Sequence, residues 1–520
     1  MAIENVADVL RTHAAEKPHD VSLVLGDLEV SWAQLYERAR RVSAGLVEAG
    51  VGSQDRVAFL DKNGIEHFEV LYGAALGNAV SVDVNWRLAA SEVAFIVNDA
   101  AAKVFVVGPD FVPILDAMAG DIADDVLVLV IGGHERYEDY DMWVSAHDDI
   151  DPHTTSAHDD VAIQIYSSGT TGRPKGVMIS NDNLFGLLPL GTEIWGFSVD
   201  SVNLVAMPLF HIGGSGWATV GQFVGARSVI LRDLDPAKLV DLFSAGVTHA
   251  FLVPAVLQFM LMVPGAADAD YSTLELVVYG ASPISDDVLA ASVKLLGCDF
   301  CQVYGLTETT GAITFLPPDD HDPGGTNKHR LRSCGVAGPG VELRIIDLDT
   351  DEDAAGPNIV GEILVRSPQV MKGYWNNDAA TAEAIDSEGW FRSGDVGYLD
   401  ADGYLYIHDR VKDMIVSGGE NVYPAEVENV LMAHPAIADA AVIGVPHDRW
   451  GETAKAIVVL APGAELGAED LIAYARAHLA TFKCPTSVEY VESLPRNPSG
   501  KILKKDLRAP YWEGRERQVN

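Results

Sequence analysis

Hydrophobic positions along the chain switch between helical and strand spacing, and the alternation predicts layered helices and strands. Residues 31–49 set Leu35, Ala39, Val42 and Leu46 on one helical face, with Ser31 and Gln34 in capping-box spacing and Gly50 as the stop. Arg56–Leu60 then reads as a strand, residues 65–76 as a helix, and Ala79–Val82 as a strand again. That is a β-α-β unit, and Val126–Val130 and Val161–Ile165 continue the pattern. The expected fold is α/β, with layered sheets and substantial parallel pairing. Polar stretches at 146–160 and 317–333 read as loops.

A change of character at Asp409-Arg-Val-Lys-Asp413 predicts a domain boundary. After it come a short apolar strand (Met414-Ile-Val416), a Gly418-Gly419 turn, a helix opening with Pro424 and a second helix over 468–480. The expectation is a large N-terminal domain over 1–409, a hinge near 410–413, and a small α+β C-terminal domain over 410–520.

Length and charge narrow the field. A chain of 520 residues with 48% hydrophobic content can build more than one sizeable core. The formal net charge of −39 describes a solvated, repulsive surface, against nucleic acid or an anionic membrane as the main partner. General acidity of the source proteome explains the charge equally well. The start, Met-Ala-Ile-Glu-Asn-Val-Ala-Asp, lacks a basic region followed by an apolar stretch, so no signal peptide is expected. No run of about 18 apolar residues predicts a membrane span. Four cysteines fit reduced thiols in a cytoplasmic protein. Cys298-Asp-Phe-Cys301 has metal-ligand spacing, but no second pair completes a zinc set, and a packed strand is the better reading.

The chemistry concentrates in Tyr166-Ser-Ser-Gly-Thr-Thr-Gly-Arg-Pro-Lys-Gly-Val177, answered downstream by Pro495-Arg-Asn-Pro-Ser-Gly-Lys501. Glycines allow close backbone approach, while N–H groups, hydroxyls and Lys175 can meet phosphate oxygens. A Walker A loop would need Gly-Lys-Ser/Thr; here Gly172 is followed by Arg-Pro-Lys175-Gly.

The first segment resembles the phosphate-binding signature of the adenylate-forming superfamily: acyl-CoA synthetases, peptide-synthetase adenylation domains and luciferases. Further matches follow in family order: Pro208-Leu-Phe-His211, Tyr279-Gly-Ala-Ser282, Tyr304-Gly-Leu-Thr-Glu308, Trp390-Phe-Arg-Ser-Gly-Asp395 and Asp409-Arg-Val-Lys-Asp413. The chain is most similar to a bacterial fatty acyl-CoA synthetase. The resemblance implies a large N-terminal domain of several subdomains and a mobile C-terminal lid that alternates between two half-reactions.

It also implies site roles. Thr170, Thr171 and Lys175 cradle the β- and γ-phosphates of ATP, and Tyr304 stacks on adenine with Gly280 and Ala281 along its other face. Thr307 touches the α-phosphate; a helix cap is its plainer reading, and both can hold. Glu308 holds Mg²⁺, a hard cation that wants carboxylate oxygen. Asp395 accepts from the ribose hydroxyls, a diol suited to an acceptor-only side chain, and Arg410 adds a ribose or phosphate contact. Lys501 neutralises charge between the attacking carboxylate and the α-phosphorus, overriding the plainer reading of a lysine in a basic tail. Gly418 and Gly419 line the channel for the pantetheine arm of coenzyme A, and Lys412 is the hinge. His211 gates the acyl tunnel, against the plainer reading of a core histidine.

The acyl-pocket segment Pro208–Trp217 carries no carboxylate, which disfavours an amino acid because its ammonium would lie unpaired. Gly213, Gly214, Ser215 and Gly216 are small enough to leave space for a long or bulky apolar acid. The expected enzyme is an acyl-CoA synthetase of fatty acid metabolism acting on a medium-to-long fatty acid. An aryl, cinnamate-like or cyclic acid is the runner-up, and a fatty acyl-AMP ligase serving a carrier protein is third. Luciferase-type oxygenation shares the motifs, and a non-catalytic ligand sensor is the alternative of another class. Partners implied are the carboxylic acid, coenzyme A, a second copy in a homodimer, and a protein acetyltransferase acting on Lys501.

Overall fold

The computed structural model describes residues 3–167, 174–282, 284–348, 350–410, 413–417, 420–447, 450–496 and 502–513. The helix read at 31–49 runs Trp32–Glu48, with the Ser31 hydroxyl accepting from the Gln34 N–H and the Gln34 side chain answering the Ser31 N–H. The β-α-β unit is Arg56–Leu60, Ile65–Leu76 and Val80–Asp83. Residues 317–333 are less irregular than their polarity predicts, because Pro318–Asp320 and Lys328–Arg332 wind into short 3₁₀ turns.

Among the described residues two large, mostly parallel sheets dominate. The nine-stranded one carries Leu276–Gly280, Asp299–Leu306 and Gly311–Leu316 side by side toward one edge. The eight-stranded one carries Val80–Asp83, Val161–Ser167, Lys175–Ser180 and Gly373–Tyr374 in that order. A continuous core joins the two, holding Ile163 and Val177 from one sheet and Leu204, Val278 and Phe300 from the other, with Trp32 and Phe68 from helices. Each fully buried aliphatic or aromatic side chain of this kind stabilises by about 1.5–3 kcal/mol.

A four-stranded antiparallel sheet follows, ending in Phe391–Leu399 and Leu405–Arg410. Beyond it a five-stranded sheet built from Ile415–Ser417, Glu420–Val422, Ile437–His447, Gly451–Leu460 and Ser487–Tyr490 has its own core. Ile415, Val427, Leu431, Val442, Ala456 and Leu471 meet there, under helices Pro424–Met432 and Ala468–His478. Cys298 and Cys301 sit at the start of the strand Asp299–Leu306, and burial pushes both thiols up to about 12, so they behave as packed, unreactive groups. No described helix is long and apolar enough to cross a membrane.

Candidate active site

The two strands Val161–Ser167 and Lys175–Ser180 run antiparallel, with Tyr166 opposite Gly176 and Ser167 opposite Lys175. The strands on either side of the glycine- and hydroxyl-rich segment are therefore fixed by the eight-stranded sheet. Thr170 and Thr171 lie outside the described residues, as do Lys412, Gly418, Gly419 and Lys501. Lys175 is described: its ammonium stands over the Tyr374 ring, 4.7 Å from the centroid, where the ring face attracts a cation.

Glu308 reaches the same place from the other sheet. Asp299–Leu306 ends in a 3₁₀ turn, Thr307–Thr309, before Gly311–Leu316 returns antiparallel. The turn is tight because a Cβ on Gly305 would lie 1.7 Å from the Gly311 carbonyl oxygen, so only glycine fits there. The reading of Thr307 as a cap is corrected: Leu306 holds the N-cap position of this 3₁₀ turn and Thr307 is its first residue, while Thr309 Oγ1 accepts from the Leu306 N–H at 2.8 Å. One oxygen of Glu308, Oε1, accepts from Ser167 Oγ at 2.9 Å and from the Tyr374 hydroxyl at 3.2 Å. The carboxylate, the Lys175 ammonium and the loop stem thus meet around Tyr374. A carboxylate oriented by two donors beside a phosphate-type loop fits a hard divalent cation such as Mg²⁺.

Tyr304 and Asp395 are a second assembled pair, the tyrosine hydroxyl donating to Asp395 Oδ2 at 2.7 Å. Asp395 is buried and its N–H donates to Ser393 Oγ at 3.0 Å. On the neighbouring strand Arg410 stands opposite Asp395 in register. Gly280 closes its strand, and a Cβ there would lie 2.2 Å from the Val303 carbonyl oxygen, so close strand packing demands the glycine. Ala281 follows, exposed, in the left-handed region at φ 66°. Behind them the buried Tyr279 hydroxyl meets His321 Nε2 at 3.0 Å, and His321 Nδ1 lies 2.9 Å from the Pro317 carbonyl. A carbonyl only accepts, so Nδ1 carries a proton; burial lowers the pKa of the ring, and in the neutral imidazole Nε2 accepts from Tyr279. Tyr304→Phe is expected to raise the KM for ATP about fivefold while leaving the KM for the acid unchanged, measured by steady-state kinetics.

His211 precedes the helix Ile212–Val224, and its carbonyl accepts from the Gly214 and Ser215 N–H groups at 2.8 and 2.9 Å. Its Nε2 is buried with no hydrogen-bond partner among the described residues. The ring packs on Phe210 at 4.6 Å, and Arg87 stacks nearby on Trp86 at 4.1 Å. Burial, helped by the Arg87 charge, lowers its pKa to about 4, so the ring is neutral near pH 7.

The expectation of open space at Gly213–Gly216 is corrected. A Cβ on Gly214 would lie 2.1 Å from the Pro208 carbonyl oxygen, and one on Gly213 would lie 2.9 Å from the Phe251 ring. Gly216 already faces Leu187 and Ile212, and the Ser215 hydroxyl is turned onto the His211 carbonyl. These small residues serve close packing of the helix.

Burial lowers the pKa of His13, His249 and His321 as well as His211. A lowered folded value means the unfolded chain binds more protons below the ordinary histidine value of 6.5. Stability contributed by these groups is therefore present above that value and is lost as pH falls through it toward the folded values. Thermal denaturation followed at pH 7 and at pH 5 is expected to give a lower midpoint at pH 5.

Ser167, Tyr374 and His321 were not singled out from sequence. Ser167 lies inside the loop motif, but nothing local marks Tyr374, far from Glu308 along the chain, or the Tyr279–His321 pair.

Comparison with known proteins places this geometry. The AMP-binding enzyme family matches residues 10–375, and the AMP-binding enzyme C-terminal domain matches residues 426–501. The chain belongs to this family, the adenylate-forming superfamily, and is a ligase. It is 38% identical to the fatty acid–[acyl-carrier-protein] ligase ScoC of Streptomyces coeruleorubidus, over 100% of this chain and 98% of that protein. It is 37% identical to a feruloyl-CoA synthase of an Amycolatopsis species, over 96% of this chain and 97% of the other. Its fold superposes on the crystal structure of ATP-bound MatB from Rhodopseudomonas palustris with a TM-score of 0.89, at 31% identity, covering 98% of this chain and 99% of that one.

Proposed function

We propose that the enzyme activates a hydrophobic monocarboxylic acid with ATP and passes the acyl group to the thiol of coenzyme A, releasing pyrophosphate and AMP. The observation that carries this reading is the meeting of Lys175, Glu308 and the loop stem around Tyr374, with Tyr304, bonded to Asp395, on the strand that leads into Glu308. Carboxylate attack on the α-phosphorus brings two anions together, so the site must supply positive charge without letting water compete. Lys175 is aimed at the departing phosphates, Glu308 would hold Mg²⁺, and Asp395 with Tyr304 would hold the nucleoside. Bound Mg²⁺ would supply the charge neutralisation that the triphosphate needs.

Thr170, Thr171, Thr307 and Lys501 complete the ATP site in this reading, with Arg410 beside the ribose. The domain division falls at the hinge, near 410–413. In its support, Leu405–Arg410 pairs within the four-stranded sheet, whereas Ile415–Ser417 already belongs to the five-stranded one. Rotation about Lys412 would exchange Lys501 for Gly418 and Gly419 at the site between half-reactions.

A fatty acid remains the first reading of the acid, supported by the similarity to ScoC. An aryl acid is the second, favoured by the run of ring contacts from His211 through Phe210 and Trp86 to Phe111 and by the similarity to a feruloyl-CoA synthase. The thiol acceptor separates a further reading, a carrier-protein ligase. The test is pyrophosphate release by the purified enzyme with each acid, with and without coenzyme A. Acid-dependent release that continues to AMP only with coenzyme A supports the reading; full turnover that ignores coenzyme A overturns the acceptor.

A further inference from the structure

Arg56 opens the strand Arg56–Leu60 and is only 6% exposed. Burial lowers its pKa, and the carboxylate beside it in sequence, Asp55, is taken by Lys103 at 2.6 Å. Its own polar contacts are neutral: Nε donates to Gln164 Oε1 at 3.3 Å and Nη1 to the Gln54 carbonyl at 2.5 Å. The guanidinium lies flat against Trp375, 3.4 Å from the ring centroid. A buried cation held by neutral groups is costly, and an indole offers the best of the aromatic faces to a guanidinium.

The contacts run on from there and close on themselves. Gln164 is fully buried and its Nε2 donates to the Tyr166 hydroxyl at 3.2 Å. That hydroxyl donates to Asp99 Oδ2 at 2.6 Å. Trp375 Nε1 donates to the Asp99 carbonyl at 2.8 Å, which returns the chain of contacts to Arg56. Inside the ring stands Gly176, opposite Tyr166 in register, with its carbonyl accepting from the Trp375 N–H at 2.7 Å. A Cβ on Gly176 would lie 2.6 Å from Gln164 Nε2 and 3.1 Å from Tyr166 Cζ, so the fit leaves no slack.

Tyr166 and Gly176 are the residues just before Ser167 and just after Lys175, where the stems give way to the loop. We propose that Arg56 and Trp375 are positioning residues for the phosphate-binding loop: through Gln164, Tyr166 and Asp99 they clamp both stems and aim Lys175 over Tyr374. The proposal rests on the ATP-dependent reading of the site. A glycine-rich loop loses much conformational freedom when it orders on a ligand, and fixed stems reduce that cost. The far side of the second stem is not filled by core. A cavity of about 200 Å³ lies there, lined by Phe95, Asp99, Pro174, Lys175 and Trp375 among others. Hydrogen bonding and stacking, rather than packing, hold this side of the stem.

The test is titration calorimetry of ATP with Mg²⁺ into the full-length enzyme without acid, for wild type and for Tyr166→Phe, Trp375→Leu, Trp375→Phe and Arg56→Met. Tyr166→Phe removes one hydroxyl and preserves the ring, so it keeps the test informative should a larger change fail to fold. The expected result is ATP affinity about tenfold weaker in Tyr166→Phe, Trp375→Leu and Arg56→Met, the scale of one lost buried polar contact. Trp375→Phe, which keeps a ring face for Arg56, is expected to recover part of the loss. Acyl transfer to coenzyme A from supplied acyl-adenylate should keep its wild-type rate, which a general structural defect would not allow. Wild-type ATP affinity in Tyr166→Phe and Trp375→Leu overturns the proposal, and so does an equal fall in both half-reactions. Wild-type enzyme that binds ATP but forms no adenylate with any acid overturns the proposed activity instead, while the affinities still judge the clamp.

Discussion

Glu308→Gln is expected to cut acid-dependent adenylate formation about a hundredfold, the scale of removing a charge-bearing group from a polar active site. The substitution is close to isosteric. An amide oxygen can still accept from Ser167 and Tyr374, which reach Oε1 at 2.9 and 3.2 Å. The fold therefore has no reason to change, and the thermal midpoint should stay at the wild-type value. What is lost is the negative charge that would hold a hard cation against the triphosphate. Acid-dependent pyrophosphate–ATP exchange, measured against Mg²⁺ concentration, reads the effect. Calorimetry of ATP with Mg²⁺ gives a second readout in which binding weakens. Exchange at the wild-type rate would remove Glu308 from the metal role.

The second large effect lies in the C-terminal region. Lys501→Ala is expected to abolish adenylate formation, a loss of roughly a hundred- to a thousandfold, while leaving acyl transfer from supplied acyl-adenylate to coenzyme A largely intact. The asymmetry follows from charge: only the first half-reaction forces a carboxylate against a phosphate, and an ammonium between them lowers that barrier. Lys501 lies outside the described residues, so this expectation stands on its place in Pro495-Arg-Asn-Pro-Ser-Gly-Lys501. Equal loss of both half-reactions would sink the role.

Much of the architecture was legible because it is local. The Ser31–Gln34 capping box and the face carrying Leu35, Ala39, Val42 and Leu46 report a helix from consecutive residues, and that helix forms with those residues buried. The first loop stem is legible for the same reason: Val161-Ala-Ile-Gln-Ile165 reads as a strand, and that strand extends to Ser167, whereas the second stem, Lys175–Ser180, carries no such reading. The misreadings came where a short stretch of chain folds back on itself. Gly214 looked like room for a substrate, yet it is small because the Pro208 carbonyl comes back against it. Thr307 looked like a cap, yet the chain reverses after three residues and Thr309 takes the hydrogen bond.

The candidate site divides in the same way. Lys175, Glu308, Tyr304 and Asp395 each sit in a short motif, and the order of those motifs along the chain makes them recognisable. Tyr374, which touches Lys175 and Glu308 at once, belongs to a two-residue edge strand whose importance depends on pairing with Val177 and Met178. Arg56 and Gln164 read as ordinary strand residues until the sheet brings them against the loop stems and Trp375. Pairing across a sheet is invisible to a motif, and so is the tautomer that His321 adopts between Tyr279 and Pro317.

The most direct test of the account is AMP release by the purified enzyme with ATP, Mg²⁺ and coenzyme A across acids from acetate to palmitate, cinnamates, benzoates, cyclic acids and amino acids. The account predicts release that depends on both the acid and coenzyme A, peaks on one hydrophobic class and is absent with amino acids. ATP consumption that no acid stimulates, or turnover that peaks on an amino acid, would contradict it.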